Sequence, residues 1–352
     1  MKIVRAVVAV LVICSSVAAT ADALEIVSVR RPVEVKEFVK RFPQLNRAVC
    51  GSMTTPGLDS DYVPQGICQL DGSKIVLSYY DKSKTKGPSL LVVADVRARR
   101  VLGEFRLFDT DGKPYTGHAG GVAAGGRFLW TGSAGRLLRF AMPGEPAPKK
   151  ADLHADAAFA VDSTAAFVCI DGRDLWVGDY SYGRRYPTPK HHHARGRSAW
   201  AAMYRLDPKS ERPTATKTYR TGGRTVLRPD RVLFLPQQVQ GMAFCGDVVA
   251  LSISYGHKNS RLAFYRSPFG SRPAQATTPG RAPVDAFVLD GKDCIKTIAM
   301  PAGSEGIAYG GRQLVVVFEG GSKHYRDRWR LLGGAIEDRI LVLDVGELDV
   351  GW

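Results

Sequence analysis

His118 and Glu305 are the residues whose chemistry stands out. Each opens one of five recurring segments, His118-Ala119-Gly120-Gly121-Val122-Ala123 and Glu305-Gly306-Ile307-Ala308-Tyr309, while the other three open on Gln65, Thr164 and Gln240. An imidazole and a carboxyl are the readily titratable groups of the five, so they suit a base and an acid. With the amides of Gln65 and Gln240 as neutral partners, the same pair offers nitrogen and oxygen donors for a hard or borderline divalent cation. The competing use of these groups is structural, as strand caps or holders of buried water. Other chemistries lack their residues: the chain has no Gly-x-Ser-x-Gly, no His-Glu-x-x-His and no Cys-x-x-Cys. Gly120-Gly121 and Gly125-Gly126 lie at turns with no helix after them to cradle a phosphate, so a nucleotide cofactor is not expected. Consecutive loop residues point in different directions, so the run His191-His192-His193 is not expected to share one ion.

The elements that must position these residues follow from the repeat. After each opening, also written Gln65-Gly66-Ile67-Cys68, Thr164-Ala165-Ala166-Phe167-Val168 and Gln240-Gly241-Met242-Ala243-Phe244, a short turn leads into an apolar strand such as Lys74-Ile75-Val76-Leu77-Ser78 or Gln313-Leu314-Val315-Val316-Val317. That is a hairpin pattern. A third strand follows in each segment, as in Arg136-Leu137-Leu138-Arg139-Phe140, and a more polar fourth is readable at 101–107 and 214–219. Four of the five openings carry Gly at the same point. Stacked equivalent units of about 45–75 residues imply a repeat architecture.

Four-stranded units of this kind resemble those of β-propeller repeat proteins, over residues 60–346. The resemblance is to the superfamily, since neither a Trp-Asp signature nor a Ser-x-Asp-x-Gly-x-x-Trp box is present. It implies an all-β fold of five blades, starting near 65, 118, 164, 240 and 305, with room for a sixth in the connection 220–235. It further implies that residues 24–30, Leu-Glu-Ile-Val-Ser-Val-Arg, complete the last blade as a closing strand, with a short helix near 32–45 outside the ring. First strands would line a central channel. The five opening residues, and the loops between second and third strands, would then share one mouth.

Those loops are basic. Segments 81–88, 181–199, 256–260 and 320–338 together carry +9 and hold five of the seven histidines. On this rim we expect a ligand-binding set of Gln65, Gln240, Asp179, Tyr180, Arg184, Arg185, Tyr255, Glu319, Lys323 and Arg326. The expected ligand is an anionic polymer, such as an acidic polysaccharide or envelope polymer. The alternatives are a hydrolase or lyase for an acidic glycan or ester, with His118 and Glu305 catalytic or holding a divalent metal, and a scaffold for a protein partner.

Lys2, Arg5, the apolar 6–13 and the tail Ala21-Asp22-Ala23 have the anatomy of a cleavable signal, residues 1–23, which puts a single domain of 24–352 in a secreted or periplasmic setting. No later apolar run reaches the ~18 residues of a membrane span, and a monomer is expected. Five cysteines remain after cleavage, and Cys50 with Cys68 is the expected disulfide, pinning the N-terminal segment to the first core strand.

Overall fold

The computed structural model describes residues 35–144, 147–279 and 281–350, and the fold is all-β and β-propeller-like. Two short helices, α1 (Val35–Arg41) and α2 (Pro43–Ala48), lead into β1 (Val49–Thr54). Among the described residues, the strands then form five antiparallel runs of four. The first is β2 (Tyr62–Gln69), β3 (Lys74–Asp81), β4 (Leu90–Asp95) and β5 (Arg100–Phe108). The second is β6 (Val122–Gly125), β7 (Phe128–Ser133), β8 (Arg136–Ala141) and β9 (Lys150–Ala160). The third is β10 (Phe167–Asp171), β11 (Asp174–Gly178), β12 (Ala199–Arg205) and, after a separate hairpin of β13 (Thr218–Thr221) and β14 (Arg224–Leu227), β15 (Arg231–Leu235). The fourth is β16 (Val239–Cys245), β17 (Val248–Ile253) and β18 (Asn259–Arg266). It ends, after β19 (Ala274–Thr277) and β20 (Pro283–Val288), on β21 (Cys294–Ala302). The fifth is β22 (Ser304–Gly310), β23 (Gln313–Phe318) and β24 (Arg339–Asp344), with β1 paired on its outer edge.

The first strands of the runs touch in a closed cycle, β2 on β6, β6 on β10, β10 on β16, β16 on β22 and β22 on β2. A cavity of about 120 Å³ between them is lined by 67–69, 122–124, 168–170, 242–244 and 307–309, one stretch from each strand. Apolar layers fill the space between neighbouring runs; Leu77 and Val92 of the first, for example, pack with Val315 and Ile340 of the fifth. Trp130 and Trp176, at matching places in β7 and β11, are wholly buried in two such layers.

The recurrent glycine has its reason here. A Cβ on Gly66 would lie 2.5 Å from the Val122 nitrogen, one on Gly121 2.4 Å from that of Val168, one on Gly241 2.8 Å from that of Ile307, and one on Gly306 2.6 Å from that of Ile67. Each is backbone of the next first strand in the cycle, so no rotamer change relieves the clash. In the third run Phe167 stands at this register. It faces Gly178 of β11, where the first and fourth runs pair Gly66 with Ser78 and Gly241 with Ser252. A Cβ on Gly178 would sit inside the Phe167 ring. The small and large members of the pair have exchanged strands.

Several expectations are corrected. The strand that closes the fifth run is Val49–Thr54, whereas 24–30 and the signal segment 1–23 lie outside the described residues. The single helix near 32–45 is two helices, broken at Phe42 before Pro43, with α2 reaching Ala48. The fourth strand of the third run is the apolar Arg231–Leu235, not 214–219, because β20 pairs along its outer edge and buries both its faces. The connection 220–235 therefore contains no sixth run, only the greater part of the hairpin and β15. Cys50 and Cys68 are both free thiols, since Cys50 is exposed on the outermost strand of one run and Cys68 buried on the innermost of another.

Gly306→Ala should destabilise the fold by about 1–3 kcal/mol in urea unfolding, the usual cost of forced overpacking. Gly270→Ala, where nothing lies within 4 Å of the added Cβ, should stay within about 0.5 kcal/mol. Equal effects of the two would remove the close-approach account.

Candidate functional site

Two carboxyls meet at the mouth of the ring. Glu305 lies in β22 and is 2% exposed, and Glu319 follows directly on β23. Their carboxyl groups are near enough for the charge of Glu319 to raise Glu305. The Gln240 amide Nε2 donates to Glu305 Oε1 at 3.0 Å, and Gln65 Nε2 donates to Glu319 Oε2 at 3.3 Å. Two neighbouring carboxylates in so buried a place disfavour each other's charge, which favours a proton on one of them. Burial, then the charge of Glu319, drives Glu305 well above the ordinary glutamate value. Burial also raises Glu319, but the Lys82 ammonium and the Gln65 amide oppose the rise. Glu305 is thus the acid of the pair and Glu319 its base.

A hydrogen-bonded chain extends from Glu319. Tyr325, in the loop after β23, bonds the Glu319 carboxyl. Its hydroxyl lies 2.9 Å from the Tyr80 hydroxyl and accepts from Lys82 Nζ at 2.7 Å. Desolvation, followed by the Glu319 charge, pushes the Tyr325 and Tyr80 phenols far up, so both stay neutral donors. His118 stacks on Tyr80 with ring centroids 4.1 Å apart. Although exposed, it sits in the concave mouth, and desolvation with the nearby Lys82 charge lowers it to about 4. At neutral pH it is an uncharged imidazole.

Tyr180, Tyr186 and Tyr255 complete the rim. Tyr180 and Tyr186 meet edge to face at 5.2 Å, the Tyr180 hydroxyl donates to the Ser254 carbonyl, and the Arg185 guanidinium lies 5.8 Å over the Tyr255 ring. The Glu305 and Glu319 charges both raise the Tyr180 phenol, second to desolvation and alongside the neighbouring phenols, so the rim and the carboxyl pair share one mouth.

Of the expected residues, the structure brings together Gln65, Gln240, His118, Glu305, Glu319, Tyr180 and Tyr255, with Arg184 and Arg185 exposed beside them. Three are elsewhere engaged. Lys323 pairs with Asp61 at 2.9 Å and Arg326 with Asp59 at 2.8 Å, so the basic excess of that loop is met by acids of the connection before β2. Asp179, expected at the ligand, is wholly buried, and its oxygens accept from the Thr164 and Trp200 amides and pair with His192 Nδ1 at 2.7 Å. His191 and His192 likewise turn inward, which strips the basic face of two of its histidines. Their ring nitrogens and an Asp162 oxygen lie within 4.8 Å of one another, a grouping that includes neither His118 nor Glu305. Tyr80 and Lys82 were not among the expected site residues. Tyr80 could have been found, because it lies two residues beyond Ser78 at the end of a second strand, the place that Glu319 and Tyr180 also occupy.

No family model and no curated protein matches the chain. Among solved structures it is similar to a glutaminyl cyclase of Myxococcus xanthus, with a TM-score of 0.41 and 11% identity, over 84% of this chain and 94% of that one.

Both carboxyls are raised, so their protonated forms favour the folded state. That stability is present below the ordinary glutamate value of 4.5 and is lost as pH rises through the higher values of the folded protein. Thermal melts followed by circular dichroism should show Tm falling as pH rises from about 4.5 through those higher values, with a shallower fall for Glu305→Gln. An unchanged slope in that variant would mean that Glu305 does not take up its proton more readily in the folded protein.

Proposed function

We propose that the chain is an exported five-bladed propeller whose channel mouth is an acid–base active site for hydrolysis of an ester in an anionic, ring-bearing molecule. The cycle of first strands supports the blade count. The observation that carries the activity is the neighbouring pair of buried Glu305 and half-buried Glu319, each held by a glutamine amide. Paired carboxyls of unequal acidity are suited to carbonyl hydrolysis, because one takes a proton from water while the other gives one to the carbonyl oxygen. Glu319 would accept the water proton as the new C–O bond forms, and Glu305 would protonate the carbonyl oxygen. Collapse of that adduct re-forms the C=O bond as its hydroxyl returns its proton to Glu305, the ester C–O bond breaks, and the proton held by Glu319 leaves with the alcohol. The Tyr80–Tyr325–Lys82 chain holds Glu319 in place and balances its charge when ionised.

Substrate class follows from the rim. Tyr180, Tyr186 and Tyr255 offer faces to a sugar or aryl ring, and Arg184 and Arg185 offer guanidinium groups to a carboxylate or sulfate. A purely polyanion-binding role is less well served, since Lys323 and Arg326 are already neutralised.

Hydrolysis of a panel of aryl and sugar esters, with and without a carboxylate, tests the reading. Glu305→Gln and Glu319→Gln should each lower kcat by roughly 10²–10⁴-fold, the usual size of a lost acid or base. The double change Arg184→Ala with Arg185→Ala should raise KM for the anionic esters alone. Wild-type rates in Glu305→Gln would exclude the mechanism, and retention of an acidic polysaccharide without turnover would make the mouth a binding site.

A further inference from the structure

The geometry points to a buried divalent cation site, fitted best to zinc, formed by Asp162, His191 and His192 and held by Asp179. Asp162 lies in the loop between β9 and β10, and the two histidines lie on the 3₁₀ turn Lys190–His192 in the loop between β11 and β12. His191 Nε2 is 2.6 Å from Asp162 Oδ2, and His192 Nε2 is 3.5 Å from the same oxygen. Around a tetrahedral zinc with bonds near 2.0–2.2 Å, ligand atoms stand about 3.3 Å apart. The His192 separation already matches, and the His191 contact needs to open by less than about 1 Å.

Two further features mark a ligand position. His192 is wholly buried and stacked on Trp200 at 3.9 Å, and its Nε2 has no hydrogen-bond partner. Its Nδ1 pairs with Asp179 Oδ2 at 2.7 Å. A proton held on Nδ1 by that carboxylate leaves the Nε2 lone pair aimed at Asp162, an arrangement that repels unless something positive lies between. A carboxylate on the far nitrogen is also how metal-ligating histidines are oriented. The charges agree, because Asp162 and Asp179, 5% and 0% exposed, supply two negative charges against a divalent ion between neutral imidazoles. The Tyr219 hydroxyl donates to Asp162 Oδ2 and steadies the carboxylate. An ion here would tie together the loop before β10, the loop before β12 and the hairpin of β13 and β14.

The test uses the untagged full chain, purified without metal-affinity resin, and elemental analysis by mass spectrometry. We expect close to one zinc per chain, a Tm lowered by chelator and restored by zinc, and loss of both the ion and the chelator response in His192→Gln. His193→Ala should keep its zinc, because that imidazole bonds Thr188 outside the cluster. Should His192→Gln fail to fold, cobalt(II) added to the stripped wild-type chain supplies the second readout, with tetrahedral visible bands expected. A chain that is metal-free as purified, with a Tm indifferent to chelator and zinc and no cobalt spectrum, would overturn the proposal. The cluster would then be an imidazolium held between two carboxylates.

Discussion

Four glycines that let backbone touch backbone set the geometry on which everything else rests. Because a Cβ at Gly66, Gly121, Gly241 or Gly306 would fall within 2.8 Å of the next first strand, these strands come closer than side chains allow. The central cavity is correspondingly narrow, about 120 Å³, and too small for a sizeable ligand to cross. Chemistry is therefore displaced to the ends of the cavity. At one end stand the residues just before the glycines, among them Gln65, Gln240 and Glu305, forced inward and together by the same approach. Packing thus concentrates polar groups at one spot.

Concentration there has an electrostatic consequence. Two glutamates near the axis of a ring cannot both be charged in a site this dry, and the surroundings decide which one yields. Gln65, Tyr325 and Lys82 all favour the charged form of Glu319, whereas Glu305 has one amide and a negative neighbour. The asymmetry arises because Lys82 and Tyr325 come from the first and fifth runs, on the side of the ring nearer Glu319. An acid and a base result from two residues of one type.

What the sequence made legible follows the strength of each physical signal. Glycine at the first strands and short apolar runs on the second strands are imposed locally, so the runs of four and the place of His118 and Glu305 could be read directly. The closing strand could not, because Val49–Thr54 pairs with residues almost 300 positions away and carries no distinctive pattern. The apolar Arg231–Leu235 was concealed for the opposite reason: cover from β20 removed the polar face by which a fourth strand is recognised. Charge counting misjudged the rim, since Asp59 and Asp61, which neutralise Arg326 and Lys323, belong to a connection more than 250 residues earlier. Consecutive histidines were expected to diverge, but a 3₁₀ turn bends His191 and His192 onto one acid.

The third run links these observations. It lacks the glycine of the other openings, and Phe167 over Gly178 takes the place of the glycine–serine pair. In the first run, Ser78 accepts from the Gly66 amide and donates to the Ala119 carbonyl, binding one first strand to the next. Gly178 has no side chain to do this. The adjoining Asp179 instead anchors the opening of its own run, with one oxygen on the Thr164 amide and the other on His192, while the Tyr180 amide donates to the Thr164 hydroxyl. Asp179 therefore fixes both the opening of the run and the backbone of Tyr180, whose phenol faces Glu305 and Glu319. One carboxylate, that of Asp179, thus joins the histidine cluster to the opening that carries the tyrosine rim.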